Sequence, residues 1–302
     1  MRNFQPPLTI KLASIILLCF VTLFAASSIV SAQQKEKSAP PASQTLLTRT
    51  TTKHEARRFG YGSSLTIIGA PAGSIIIEAW NKSEVDITAD IELHAATESD
   101  LALLSTINSF TVDEDANHIR VLTTGTHDKV FMKRVAKKFP KTLLNLPWKI
   151  DYRIRVPANC DIEIDAGRGP ISLAGVEGAI SMKALESDAV LTLTGGAVSA
   201  TIGAGSVRVN LTTRSWRGAG ALVELARGDL TIELPAGFNA DINASILRSG
   251  QIESSYEGLV PQERTTFTPQ SIRGRAGAGG ATLTFRVTDG TLKILKAVTS
   301  DK

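Results

Sequence analysis

Cysteine is almost missing from this chain. Two occur in 302 residues, Cys19 and Cys160, and only Cys160 remains once the N-terminal segment discussed below is removed. A disulfide-stapled fold and a paired-cysteine metal site are thereby excluded, so stability has to come from burial. Histidine is scarce as well: His54, His94, His118 and His127 show no metal-ligand spacing. Aromatic residues make up 5% of the chain, which leaves few anchors for a stacked ligand. Neither sign of charge is in excess. The net charge of +4 falls to +2 without Arg2 and Lys11, and a nearly neutral chain gives no electrostatic argument for nucleic acid. HExxH and GxSxG are absent, and the glycine-rich run 274–280 lacks the Lys-Ser/Thr of a phosphate loop. No enzymatic activity, metal or cofactor is expected.

Long apolar runs are missing too, with one exception. Residues 12–26 are uncharged and mostly apolar, with Arg2 and Lys11 before them and Val30-Ser31-Ala32 after. A basic flank, a short apolar run and small residues at the cleavage point form a secretory signal peptide. The 15-residue run is short for a membrane span, which needs ~20 residues. Cleavage after Ala32 is expected, giving an exported, soluble chain that is periplasmic or outside the cell. Leu18 before Cys19 does not suit a lipoprotein signal. The 270 residues that remain can build a sizeable core.

What is abundant is periodic glycine. Gly169, Gly178, Gly196 and Gly205 recur every nine residues, with Ser187 in the missing slot. Apolar residues follow each at even offsets, as in Val198, Ala200 and Ile202, then Val207, Val209 and Leu211. Ser199, Thr201, Arg208 and Asn210 take the odd positions. Side chains in a strand alternate faces, so each rung has one apolar and one polar face.

The rest of the chain divides around this beat. Residues 33–46 read as a flexible leader and 47–127 as a β-rich part. In the latter, Thr97-Glu98-Ser99-Asp100 caps one short helix near 98–107, and a hairpin turns around Asp115-Ala116-Asn117. Residues 128–150 form a basic insertion, and 151–298 carry the repeats. Constant spacing and a near-absence of Asn-Gly or Asp-Gly turns favour an all-β single-stranded β-helix, or solenoid, in which each rung rests on the previous one; a β-sandwich is the alternative. The beat is also that of calcium-binding nonapeptide repeats, but those need two glycines and an aspartate per repeat. Asp188 is the only aspartate between 166 and 228, which excludes them.

Gly73-Ser-Ile-Ile-Ile-Glu-Ala-Trp80, Val156-Pro157, the glycine rungs and the closing Gly279-Gly280 and Asp289-Gly290-Thr-Leu-Lys-Ile294 together resemble the bacterial "putative adhesin" family of exported β-repeat domains. The resemblance covers roughly residues 60–296. It implies a single-stranded β-helix in or beyond the cell envelope, with a structural or adhesin-like role and no catalytic residues. A carbohydrate-binding or polysaccharide-cleaving β-helix protein is the alternative.

Three features carry candidate chemistry. Asp161, Glu163 and Asp165 share one strand face, spaced ~6.6 Å apart, which suits either a carboxylate pair or a solvated outer face. Residues 129–141 carry six positive charges and no acid, with Phe131, Val135 and Phe139 four apart. This is a basic amphipathic helix for an anionic surface, or a lid with solvated lysines. Finally, Trp216 stands between Arg214 and Arg217 in a broken rung, either as a stacking platform for an acidic glycan or folded back over the apolar stack. The candidate binding residues are Arg214, Trp216, Arg217, Lys133, Arg134, Lys137 and Lys138, and the expected partner is an anionic envelope polysaccharide or membrane surface.

Overall fold

The computed structural model describes residues 46–135 and 139–297. The expected signal peptide, the leader up to residue 45, and Lys137 and Lys138 lie outside the described residues. In chain order the elements are β1 (Leu47–Arg58), β2 (Ser64–Ala72), β3 (Ile75–Trp80), β4 (Glu84–Ala95), α1 (Glu98–Ser105), β5 (Ser109–Asp115), β6 (His118–Thr124), α2 (Lys129–Val135), β7 (Trp148–Pro157), β8 (Asp161–Arg168), β9 (Ile171–Ala174), β10 (Ala179–Glu186), β11 (Ala189–Leu193), β12 (Gly195–Leu211), β13 (Arg217–Leu234), β14 (Ala240–Ser254), β15 (Leu259–Pro261), β16 (Ser271–Ala276) and β17 (Thr282–Lys296). The fold is all-β, and its strands join in one 17-stranded sheet.

Alternation decides which side chains enter the core. Val198, Ile202, Val207 and Val209 are buried, whereas Ser199, Thr201 and Arg208 are exposed. Each buried aliphatic contributes about 1.5–3 kcal/mol. Helix α1 starts where Thr97 caps it: its Oγ1 accepts from Asp100 N at 3.1 Å, and Leu101 and Leu104 turn inward. A second short helix, α2, lies in the basic insertion.

The strands of the glycine beat pair parallel and in register, but the stacking period is twice the beat. Ile162 lies beside Ile180 and Ile180 beside Val198, steps of 18 residues, and Ile171, Ala189 and Val207 form the matching row of the second half. A nine-residue rung is therefore half a coil. It does not rest on the rung before it, as the sequence suggested, but on the second one before it. Each coil turns at two corners. Gly169, Ser187 and Gly205 belong to one corner column, which continues through Gly73 at one end and Gly228, Gly290 and Gly250 at the other; Gly178 and Gly196 belong to the second, with Cys160 and Gly218. At the glycines of these columns a Cβ would strike the backbone of the neighbouring coil.

The stack is not assembled in sequence order. The coil β2–β3 pairs parallel with β8 and β9 on one side and with β6 and β7 on the other. Residues 47–127 thus share a sheet and a core with the repeats. Beyond β7 come β4 and then β1, both antiparallel, and beyond β6 comes β5. At the far end β17 is inserted between β13 and β14, β16 pairs antiparallel on the first half of β14, and β15 pairs antiparallel on β16.

Candidate functional site

The outward side chains of β6, β2, β8, β10 and β12 line one broad face. On β8, Asp161, Glu163 and Asp165 all point outward while Ile162 and Ile164 are buried. Register places Thr66 and Ser181 on either side of Glu163, and Ile68 and Lys183 on either side of Asp165. Short side chains on β10 and β12, among them Ser181 and Ser199, floor a groove of about 510 Å³ walled by His118, Thr66 and Glu163. His118 Nε2 is 2.7 Å from the Thr66 hydroxyl, and that hydroxyl is 3.5 Å from Glu163 Oε2. Such a row can position a polar ligand. It brings no arginine to the positions beside the three carboxylates. Asp161 has a structural task, since its Oδ1 accepts from Ala179 N at 2.7 Å, where the chain enters the next coil. Asp188 does the same for Ser206 N at 3.1 Å, and Asp151 for Ser74 N at 2.7 Å. Burial would raise the pKa of Asp151, but the hydrogen bonds from Ser74 and the charge of Lys149 hold it below the ordinary carboxylate value.

The broken rung at 212–218 is a brace rather than an open platform. Trp216 is 7% exposed, belongs to the core, and donates from Nε1 to Gly196 O at 3.1 Å. Of the two readings the sequence left open, this burial fits the indole folded back over the apolar stack at the glycine corner. Arg217 pairs with Glu177 at 2.8 Å. Arg214 is exposed, and its carbonyl accepts from Asn239 N at 2.8 Å. The extra residues lengthen the step from Val198 to its neighbour Ala221 to 23.

The basic insertion is clipped to the core by its apolar residues. Asp128 Oδ1 caps α2 by accepting from Val130 N and Phe131 N at 2.8 and 3.0 Å. Leu143 is buried and Phe139 packs against the core. Lys129, Lys133, Arg134 and Lys141 are exposed. The structure does not bring these cations together with Arg214 and Arg217 through any contact among the described residues.

One cluster was not legible in the sequence because its members come from four strands and the turn between β3 and β4. Lys82 Nζ and Arg155 Cζ each lie 4.6 Å from the centre of the Trp80 ring. Arg155 and His54 both hydrogen-bond the carboxylate of Asp86, whose side chain is 8% exposed. Burial alone would raise the pKa of Asp86, but these two partners hold it below the ordinary value. The cluster ties β1, β4 and β7 together beside the edge of the sheet.

No family model and no curated protein sequence matches the chain. Among solved structures it is similar to a "putative cell adhesion protein" from Clostridium sporogenes, at 12% identity over 82% of this chain and 100% of that one, with a TM-score of 0.41. It is also similar to a "putative adhesin" from Bacteroides fragilis, at 9% identity over 81% and 97% of the two chains and a TM-score of 0.36. A third, from Parabacteroides distasonis, has 8% identity, coverage of 81% and 97%, and a TM-score of 0.30. Likeness at these TM-scores carries no inference about function.

Proposed function

We propose that this chain is an exported, non-enzymatic β-solenoid that serves as a structural or adhesin-like interaction module of the cell envelope, with an anionic polysaccharide or membrane surface as its partner. The observation that carries this reading is the parallel, in-register stacking of coils at 18 residues, which supports two wide, rigid faces of short polar side chains. Broad, shallow surfaces of this kind suit extended partners better than small substrates. The exposed cations of the insertion, Lys133 and Arg134 with Lys137 and Lys138 beside them in sequence, are the contacts assigned to the anionic partner.

Export is tested by intact mass. The chain recovered from the exported fraction is expected to begin at Gln33, and a retained Met1 would overturn cleavage. No helix among the described residues is long and apolar enough to cross a membrane. Binding is tested by retention of the mature protein on anionic liposomes and on acidic polysaccharide. Retention is expected at low salt and is expected to weaken as salt is added, and retention on the liposomes should drop strongly for a Lys133→Ala, Lys137→Ala, Lys138→Ala triple variant. Equal retention of the two proteins, or none for the wild type, removes the lid from the binding surface.

A further inference from the structure

At the far end of the same broad face, β16, β14 and β17 lie side by side, and their outward residues form a small grid. Register sets Arg273, Asn243 and Thr284 in one row and Ser271, Ser245 and Arg286 in the next. Neighbours within a row are ~5 Å apart and the rows ~6.6 Å apart. Gln262 closes one side. Its backbone N–H donates to Arg273 O at 3.0 Å, and its carbonyl accepts from Thr265 N at 3.0 Å. These side chains enclose a cavity of about 270 Å³, just below the ~300–1,000 Å³ typical of drug-sized ligands.

The polar groups of this cavity are largely uncommitted. Arg286 pairs with Glu224 at 2.9 Å and Arg275, next to the grid, with Asp241 at 3.1 Å. Among the described residues, the Arg273 guanidinium, the Asn243 and Gln262 carboxamides and the Ser245, Ser271 and Thr284 hydroxyls make no hydrogen bond or ion pair within the chain. Exposed polar side chains are often free, but here six converge on one concavity and five stand on paired strands, of which β14 and β17 are held by a ladder on each side. Sites on such elements hold their geometry better than sites on loops. The chemistry is one free cation surrounded by neutral groups that both donate and accept. A bare phosphate or sulfate would call for several cations or backbone amides. One unpaired cation with two carboxamides and three hydroxyls instead matches a hydroxyl-rich ligand with a single negative charge.

We propose that this pocket binds the uronate unit of an acidic saccharide, with Arg273 pairing the carboxylate and Asn243, Gln262 and Thr284 bonding the sugar hydroxyls. The proposal takes its partner class from the function proposed above but assigns recognition to a different place, on the strands and not on the basic insertion.

The test is calorimetric titration of the mature protein with oligogalacturonate, oligoglucuronate, neutral maltohexaose and inorganic phosphate. At least one oligouronate is expected to bind, with the neutral sugar tenfold or more weaker and phosphate not saturating. Arg273→Ala should weaken oligouronate binding by about 10- to 100-fold, the loss expected for one charge-assisted hydrogen bond. Arg273→Lys should recover part of that loss, and Asn243→Ala should cost several-fold. Arg273 is exposed and unpaired, so its variants should melt with the wild type. The triple lysine variant should keep its oligouronate affinity. If it loses that affinity while Arg273→Ala does not, the lid is the binding site and the pocket is not. No oligouronate binding at millimolar concentration, no effect of Arg273→Ala, or phosphate binding as tightly as the sugar would each overturn the proposal.

Discussion

Gly205→Val is expected to lower the melting temperature by 10 °C or more. Gly205 has a φ of 131°, a region open essentially to glycine alone, where a side chain costs of order 1–3 kcal/mol. A Cβ there would also fall on the carbonyl oxygen of Ser187, far inside contact distance, while the carbonyl of Gly205 itself lies where a Cβ on Gly228 would fall. The obstacles are backbone atoms of adjacent coils, which cannot swing aside as a side-chain tip can. Relief requires the two coils to part at the corner, losing ladder hydrogen bonds on both sides. Strain and separation together exceed ~4 kcal/mol, a large share of the ~5–15 kcal/mol that holds a domain folded. Gly237→Ala is the control. Gly237 also has a positive φ, 67°, but no atom lies within 4 Å of its Cβ position. It should cost about 1 kcal/mol, or ~2–4 °C at this chain length. Thermal melts followed by circular dichroism decide the matter: if both variants melt within a few degrees of each other, the corner column is not what forbids side chains at Gly205. Ser187, the one residue with a side chain in the run 169–205 of this column, avoids the left-handed region.

Much of this arrangement was readable before any coordinates, and the limits of that reading are physical. Alternation settled the faces of β12, because a period of two is written in every pair of neighbouring residues. The glycine beat was equally plain. Its meaning was not, because a corner looks the same in sequence whether the coil has one corner or two. Only the pairing of Ile162 with Ile180 shows that two corners make a coil. The place of β3 in the stack had no local sign at all, since Ile75 meets Ile171 across almost a hundred residues. For Trp216 the sequence left two readings open, for a related reason. Flanking arginines suggest solvent, but the residue that decides its burial, Gly196, lies in the coil it covers. In the basic insertion only the packing of Phe139 was legible, because it carries an apolar signal within the basic run itself. The pocket around Arg273 joins three strands and Gln262, none with a motif of its own.

Removing residues 282–302, and with them β17, is expected to prevent folding of the final part of the stack. β13 and β14 follow each other in the chain, but they do not pair with each other; β17 lies between them, parallel to both. Its inward residues Leu283, Phe285, Val287, Leu292 and Ile294 are fully buried. At about 1.5–3 kcal/mol each, their loss is on the order of 10 kcal/mol, comparable with the whole stability of a domain. The same deletion leaves an unpaired edge on β13 and another on β14, and open edges of this length invite aggregation. β13 and β14 cannot simply close the gap. Both would have to leave the ladders they make with β17, and β14 carries β16 and, through it, β15. The truncated chain should therefore be aggregated, or cleaved rapidly by protease after β13. Val287→Asp in the full chain should act in the same direction, by placing an unpaired carboxylate in the core, whereas Arg286→Ala, on the opposite face of the strand, should cost no more than about 1 kcal/mol of surface ion pairing with Glu224. A synthetic peptide of residues 282–297 added during refolding should restore protease resistance, since the vacated site offers ladder partners on both sides. Should the truncated protein instead melt cooperatively within a few degrees of the full chain, β17 would be a covering strand and not the coil that joins β13 to β14.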